Sequence, residues 1–182
     1  MTNPVQQANV DRLFAVLDLD GDGRITWTDF QVTVRDVARE FDLDEGAPAA
    51  RGLLAAYRQV WEYVCGAADT DLDGEVSKAE FEQAHLDERL STGELVSRWA
   101  VASDQAFILA DQDGDGRISR DELAAMYRGA GVVDAEAVAE VAFAEMDADN
   151  NGLIDKDELS ANVRGLVTAT DESAKGARLL GA

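Results

Sequence analysis

Residues 111–122 read DQDGDGRISRDE, and this stretch decides the fold. Oxygen-bearing side chains fall at loop positions 1, 3, 5, 9 and 12: Asp111, Asp113, Asp115, Ser119 and Glu122. A hard divalent cation takes six to eight oxygens, and a flexible loop can supply them from alternate side chains, the backbone carbonyl at position 7 (here Arg117) and a closing carboxylate. Gly116 stands at position 6, where the chain must turn with a left-handed backbone that glycine adopts without a steric penalty. Working outward, the pattern recurs at 18–29 (DLDGDGRITWTD), 69–80 (DTDLDGEVSKAE) and 147–158 (DADNNGLIDKDE). The ligands expected there are Asp18, Asp20, Asp22, the Arg24 carbonyl, Thr26 and Asp29; Asp69, Asp71, Asp73, the Glu75 carbonyl, Ser77 and Glu80; and Asp147, Asp149, Asn151, the Leu153 carbonyl, Asp155 and Glu158. One match could arise by chance, but four within 182 residues could not.

The flanks carry the same message independently. Val10, Leu13, Phe14 and Leu17 precede the first loop, and Phe30, Val34 and Val37 follow it, on the spacing of one helix face. Trp61, Val64 and Cys65 lead into the second loop; Leu123, Met126 and Tyr127 leave the third; Phe143 and Met146 enter the fourth, with Leu159, Val163 and Leu166 beyond it. Position 8 is Ile25, Val76, Ile118 or Ile154, branched side chains suited to a short bridge between paired loops. Gly46 and Pro48 predict a turn and a helix start, followed by the apolar stripe Leu53, Leu54, Tyr57, Val60, Trp61. Ser91 and Glu94 read as a capping box, Gly129 and Gly131 as a helix end, and Asp134 as the cap of the next helix.

Loops and flanks together resemble the EF-hand family. Uneven loop starts at residues 18, 69, 111 and 147, with long helices in the first half, resemble the sarcoplasmic calcium-binding protein group and its calerythrin-like bacterial members. The resemblance implies an all-α fold: four EF-hands in two pairs packed into one compact body, with short β-bridges between paired loops. It also implies a calcium-buffering or signal-modulating role with up to four bound calcium ions. The expected organisation is an N-terminal pair over 1–90, a C-terminal pair over 91–170 and a tail over 171–182.

Composition narrows the alternatives. Asp and Glu number 37 against 16 Lys and Arg, for a net charge of −21 that repels nucleic acid and anionic membranes. No apolar run approaches the length of a membrane span. The single Cys65 permits no internal disulfide and fits a reduced, cytoplasmic setting, where it is expected to be a small buried hydrophobe. The single His85 has no second His or Cys near it in sequence with which to build a zinc site. The clustered acids are accounted for as ligands, so the chain is expected not to be an enzyme. A monomer is expected, with a target protein as an open alternative partner to the calcium ions.

Two features separate the loops and bear on function. Loops two, three and four close on Glu, whereas loop one closes on Asp29, one methylene shorter. Two-oxygen contact there needs a contracted loop; otherwise the site moves towards the six ligands that suit magnesium. The expectation is weaker calcium binding or a magnesium preference at loop one, against the alternative that one oxygen and a water serve almost as well. Methionine is scarce, three in all, whereas a target-grasping sensor exposes a Met-rich groove. This favours a buffer or transporter over a calcium-dependent regulator. Trp27, at position 10 of loop one, is read as a packing residue, and Leu179 and Leu180 are read either as part of a frayed terminus or as folding back over an apolar cleft.

Overall fold

Four helices in this chain begin where the repeated loops end, because the last four residues of each loop double as a helix start. The computed structural model describes residues 4–168, with side chains over 10–162. Its elements are α1 (Pro4–Leu17), β1 (Arg24–Thr26), α2 (Trp27–Glu40), α3 (Pro48–Ala68), β2 (Glu75–Ser77), α4 (Lys78–Leu86), α5 (Thr92–Ala110), α6 (Arg120–Gly129), α7 (Ala135–Met146) and α8 (Lys156–Thr168). Thr26, Ser77 and Ser119 cap α2, α4 and α6, each accepting from the backbone N–H three residues on, while that residue's carboxylate accepts from the cap N–H. This reciprocal arrangement satisfies two of the donors that a helix start leaves open. Asp155 and Glu158 form the same pair at α8, with both bonds at 2.9 Å.

Position 8 pairs the loops as its branched residues predict. β1 and β2 run antiparallel with Ile25 opposite Val76. Ile118 and Ile154 exchange both backbone bonds, at 2.8 and 2.9 Å. All four side chains are fully buried and anchor the loops to the core beneath.

The two halves are packed on each other. α2 lies against α6, α3 against α5, and α8 against α5 and α1. One core gathers around Phe14, Phe30, Trp61 and Phe81, and a second around Phe107, Leu123, Phe143 and Met146, which also takes in Val16 of α1. A third cluster (Val34, Val37, Leu53, Leu109) fills the seam. Gly129 shows how close that seam is: a Cβ there would stand 2.4 Å from the Val37 Cα, so α6 can approach α2 only through glycine. Gly129 is therefore more than the end of a helix. The fold is the expected all-α body of four paired hands, with a two-strand sheet in one half and a bridge in the other. Among the described residues, no helix is long and apolar enough to cross a membrane.

Local readings that differ from the structure have local causes. Asp134 does not cap α7: its φ of 54° is left-handed, away from the extended backbone that lets a cap side chain reach back, and it makes no cap bond. Ser91 caps α5, but Glu94 turns to Arg98 at 2.7 Å instead of closing the box. Cys65 is only half-buried, because it lies one turn before Asp69 and points its thiol along the helix face towards that carboxylate. Tail residues 171–182, with Leu179 and Leu180, and the side chains of Val163 and Leu166 lie outside the described residues.

Candidate metal centres

Each loop is pre-shaped by its own backbone amides. The position-6 glycines turn with φ of 89° (Gly23), 83° (Gly74), 79° (Gly116) and 84° (Gly152). Their N–H groups donate to the position-1 aspartates Asp18, Asp69, Asp111 and Asp147 at 2.9, 3.1, 3.0 and 3.0 Å. The side chain at position 3 accepts from the N–H of position 5, and that at position 5 accepts from the N–H of position 7, in every loop. Thus Asp20, Asp22, Asp71, Asp73, Asp113, Asp115, Asp149 and Asn151 are held by Asp22, Arg24, Asp73, Glu75, Asp115, Arg117, Asn151 and Leu153. Each bond engages one oxygen; the aspartates keep a second one, whereas Asn151 has only the oxygen that Leu153 bonds and donates its amide to Asp149 at 2.8 Å.

Acid groups converge accordingly. Ligand atoms of Asp18, Asp20 and Asp22 lie within 4.8 Å of one another, as do those of Asp69, Asp71 and Asp73; of Asp111, Asp113 and Glu122; and of Asp147, Asp149 and Glu158. Like charges this close repel, and a cation between them turns that repulsion into attraction. Two buried oxygens, Oδ1 of Asp18 and Oδ1 of Asp111, have no hydrogen-bond partner. A buried carboxylate oxygen without a donor is costly, and a metal ion satisfies it. Burial raises the Asp18 pKa, the charges of Asp22 and Asp20 add to it, and the Gly23 N–H opposes it. These donors fit a hard cation: all are oxygens, with further carboxylate capacity left unused.

Position 12 separates the loops. Glu80, Glu122 and Glu158 each reach in two directions. One oxygen accepts from the cap N–H (Ser77, Ser119, Asp155), and the other crosses the loop to the N–H of position 2. Those crossing bonds come from Thr70, Gln112 and Ala148 at 3.1, 3.1 and 2.9 Å. Asp29 spends both oxygens on Thr26, one on its N–H and one on its hydroxyl, each at 2.8 Å. The two carboxyl groups differ in proton affinity as a result. Burial raises the Asp29 pKa, with the Thr26 bonds in opposition. Burial also acts upward on Glu80, but bonds from Ser77 and Thr70 outweigh it and bring the pKa down to about 2.

Several contributors escape a ligand-by-ligand reading of the loops. The position-2 amides that tie down the closing glutamates are backbone groups without a side-chain signal, and only in loop two does a side chain, the Thr70 hydroxyl at 3.0 Å, add to them. Arg24 bonds Glu75 across the β1–β2 pair, linking loops one and two. Opposite charges at position 7 of two loops that pair were the available signal for that link. Lys78 joins α4 to Asp11 at 2.9 Å, and Lys156 joins α8 to Asp104 at 3.0 Å, each tying the helix after one loop to the helix before its partner. Trp27 is a packing residue, stacked on Phe30 with the Arg58 guanidinium 4.7 Å from its ring.

Comparison with known proteins agrees with this geometry. The family model for an EF-hand domain pair matches residues 103–164, and that for a single EF hand matches 10–34 and 66–85. The chain belongs to the EF-hand family, and calcium is the ion its loops bind. Calerythrin of Saccharopolyspora erythraea is 27% identical over 139 residues, covering 75% of this chain and 78% of that protein. A probable calcium-binding protein, CML17 of Oryza sativa subsp. japonica, is 32% identical over 133 residues, covering 70% of this chain and 72% of its own length. Among solved structures, a calcium-binding protein of Streptomyces coelicolor superposes with a TM-score of 0.73 at 24% identity, covering 88% of this chain and 97% of that one.

Proposed function

We propose that the chain is a calcium buffer or transporter with up to four EF-hand sites. The observation that carries this reading is the seam between the halves. Sensor hands open on calcium to offer a Met-rich apolar groove. Here the apolar faces of α2, α3, α5 and α6 are already spent on each other, with Val37, Leu53 and Leu109 buried between them. Met146 lies in the C-terminal core and Met126 packs against it from inside the body. Opening such a body would expose its seam as well as its hands.

The ligand set proposed for each ion is that of loop positions 1, 3, 5, 7, 9 and 12, supported by convergence of the acids at positions 1, 3 and 5 in loops one and two and at positions 1, 3 and 12 in loops three and four. The proposed units are the hand pairs of 1–90 and 91–170, supported by loop pairing within each. The proposed setting is the cytoplasm, with the chain acting as a monomer and without catalysis; its similarity to proteins named for calcium binding supports the last point.

Calorimetric titration with calcium, run beside an apolar fluorescent dye, tests the reading. A buffer gives dissociation constants on the order of 10 nM or below with unchanged dye emission. A calcium-dependent rise in dye emission overturns it. The second reading is a calcium-dependent regulator. It is favoured by Val101 and Ile108, 47% and 52% exposed and two turns apart on one face of α5. The Streptomyces coelicolor structure is described in terms of prokaryotic calcium-mediated regulation, which points the same way. That reading requires the dye to respond.

A further inference from the structure

A cavity of about 170 Å³ lies where the two halves meet. Its walls include Val16 of α1, Tyr57 of α3, Trp99 and Ala106 of α5, and Met126 and Tyr127 of α6, so both halves build it. No lining side chain is charged, although the chain as a whole carries −21. The metal loops cannot explain it, and no ion would enter it.

Chemistry inside the cavity is uneven. Tyr57 and Trp99 form an aromatic wall, with ring centroids 5.6 Å apart. The Ser103 hydroxyl donates back to the Trp99 carbonyl at 3.1 Å, so its proton is spent. The Tyr127 hydroxyl is buried and has no hydrogen-bond partner. Burial, and then the charge of Glu145, push its pKa well above the ordinary phenol value, so it stays a neutral donor. An unsatisfied buried donor costs about 1–3 kcal/mol, which a partner of suitable chemistry would recover. Apart from the hydroxyls of Thr33, Tyr57, Ser103 and Tyr127 the lining is apolar, and its volume is close to that of cavities that admit a benzene-sized guest.

We propose that this cavity binds a small neutral aromatic molecule, one or two rings in size, carrying a single hydrogen-bond acceptor. Its rings pack on Tyr57 and Trp99, and its acceptor receives the Tyr127 hydroxyl. Charged molecules are excluded because nothing in the lining would compensate a buried charge.

The probe is 2-acetylnaphthalene, a neutral two-ring ketone, titrated into the full calcium-saturated chain by calorimetry and by quenching of tryptophan emission. The expected result is saturable one-to-one binding. Ala106→Phe, which fills the cavity, abolishes it. Tyr127→Phe, which removes only the unpaired hydroxyl, weakens it roughly three- to tenfold. Calcium titration of both variants checks that the hands still fold, and Tyr127→Phe decides the matter if Ala106→Phe does not. Absence of saturable binding, binding retained by folded Ala106→Phe, or equal affinity in Tyr127→Phe overturns the proposal.

Discussion

Loop one and loop two hydrogen-bond to each other through β1 and β2, yet their closing carboxylates do different things. Glu80 spans its loop, fastening the cap at Ser77 to Thr70 at the other end. Asp29 bonds only Thr26 and leaves the loop ends untied. One methylene therefore decides whether the loop is pre-closed before metal arrives. A pre-closed loop loses less freedom on binding, and the loss of freedom is what an open loop must offset from its contact energy. The surroundings differ as well. Asp20 and Asp29 share a cleft with Gly129 and Gly131 at the end of α6, so loop one borders the opposite half of the molecule.

The largest test of this contrast removes the closing charges in parallel. Glu80→Gln should weaken calcium at loop two by more than about 100-fold, beyond the range for loss of an outer-shell partner. Asp29→Asn should cost loop one roughly tenfold or less, because its closure contributes less at the outset. Site-resolved calorimetry measures both, and equal losses break the comparison. Gly129→Ala comes next. Its new Cβ meets the Val37 backbone, so overpacking should lower unfolding free energy by about 1–3 kcal/mol in urea melts. Calcium affinity should fall at loop one, beside Gly129, and hold at loop two; a uniform change would remove the link between the seam and that loop.

Asp29→Glu supplies the missing reach. Calcium affinity at loop one should rise roughly three- to tenfold, the worth of about 1 kcal/mol in one added contact. Magnesium competition there should decline in step. An unchanged calcium isotherm would mean that one oxygen and a water already suffice. The smallest effect concerns His85, which follows loop two. Its ring packs on Phe81 at 4.6 Å, and Nδ1 lies 3.0 Å from the Phe81 carbonyl. Its Nε2 is buried without a partner. Burial therefore depresses the imidazole pKa below the usual value of 6.5, with the Phe81 carbonyl in partial opposition. A depressed histidine favours the folded state above its unfolded pKa, and that contribution fades as pH falls through the folded value. Calcium-free wild type should lose thermal stability from pH 7 to 5 more steeply than His85→Gln, and superimposable profiles would assign the acid sensitivity to the loops instead.

Reading residues in order took the loops a long way and the helix ends less far. Ligand position is a matter of spacing, and spacing survives without coordinates: Asp111, Asp113 and Glu122 converge as their positions demand. Capping depends on backbone angles that sequence only biases, which is why Asp134 fails while Ser91 succeeds. Cys65 reads as core by periodicity and does pack against the N-terminal core, but it sits at the last turn before a loop, where its thiol also meets the Asp69 carboxylate and it stays half-buried. Gly129 carried two meanings, chain terminator and close-contact residue, and nothing local distinguishes them.

The sequence by itself determined the local chemistry of this protein: four oxygen-rich loops, glycine at each turn, a capping pair that starts each following helix, and the shorter closure at loop one. These follow from interactions spanning a dozen residues or fewer. Only the tertiary structure decided that the two halves share a seam, that α6 comes closest to α2 at Gly129, and that an uncharged cavity with an unpaired Tyr127 lies between them. Those features depend on which helix faces meet. Many pairings bury similar apolar area, because burial is non-directional, and the choice among them rests on shape complementarity that no linear spacing encodes.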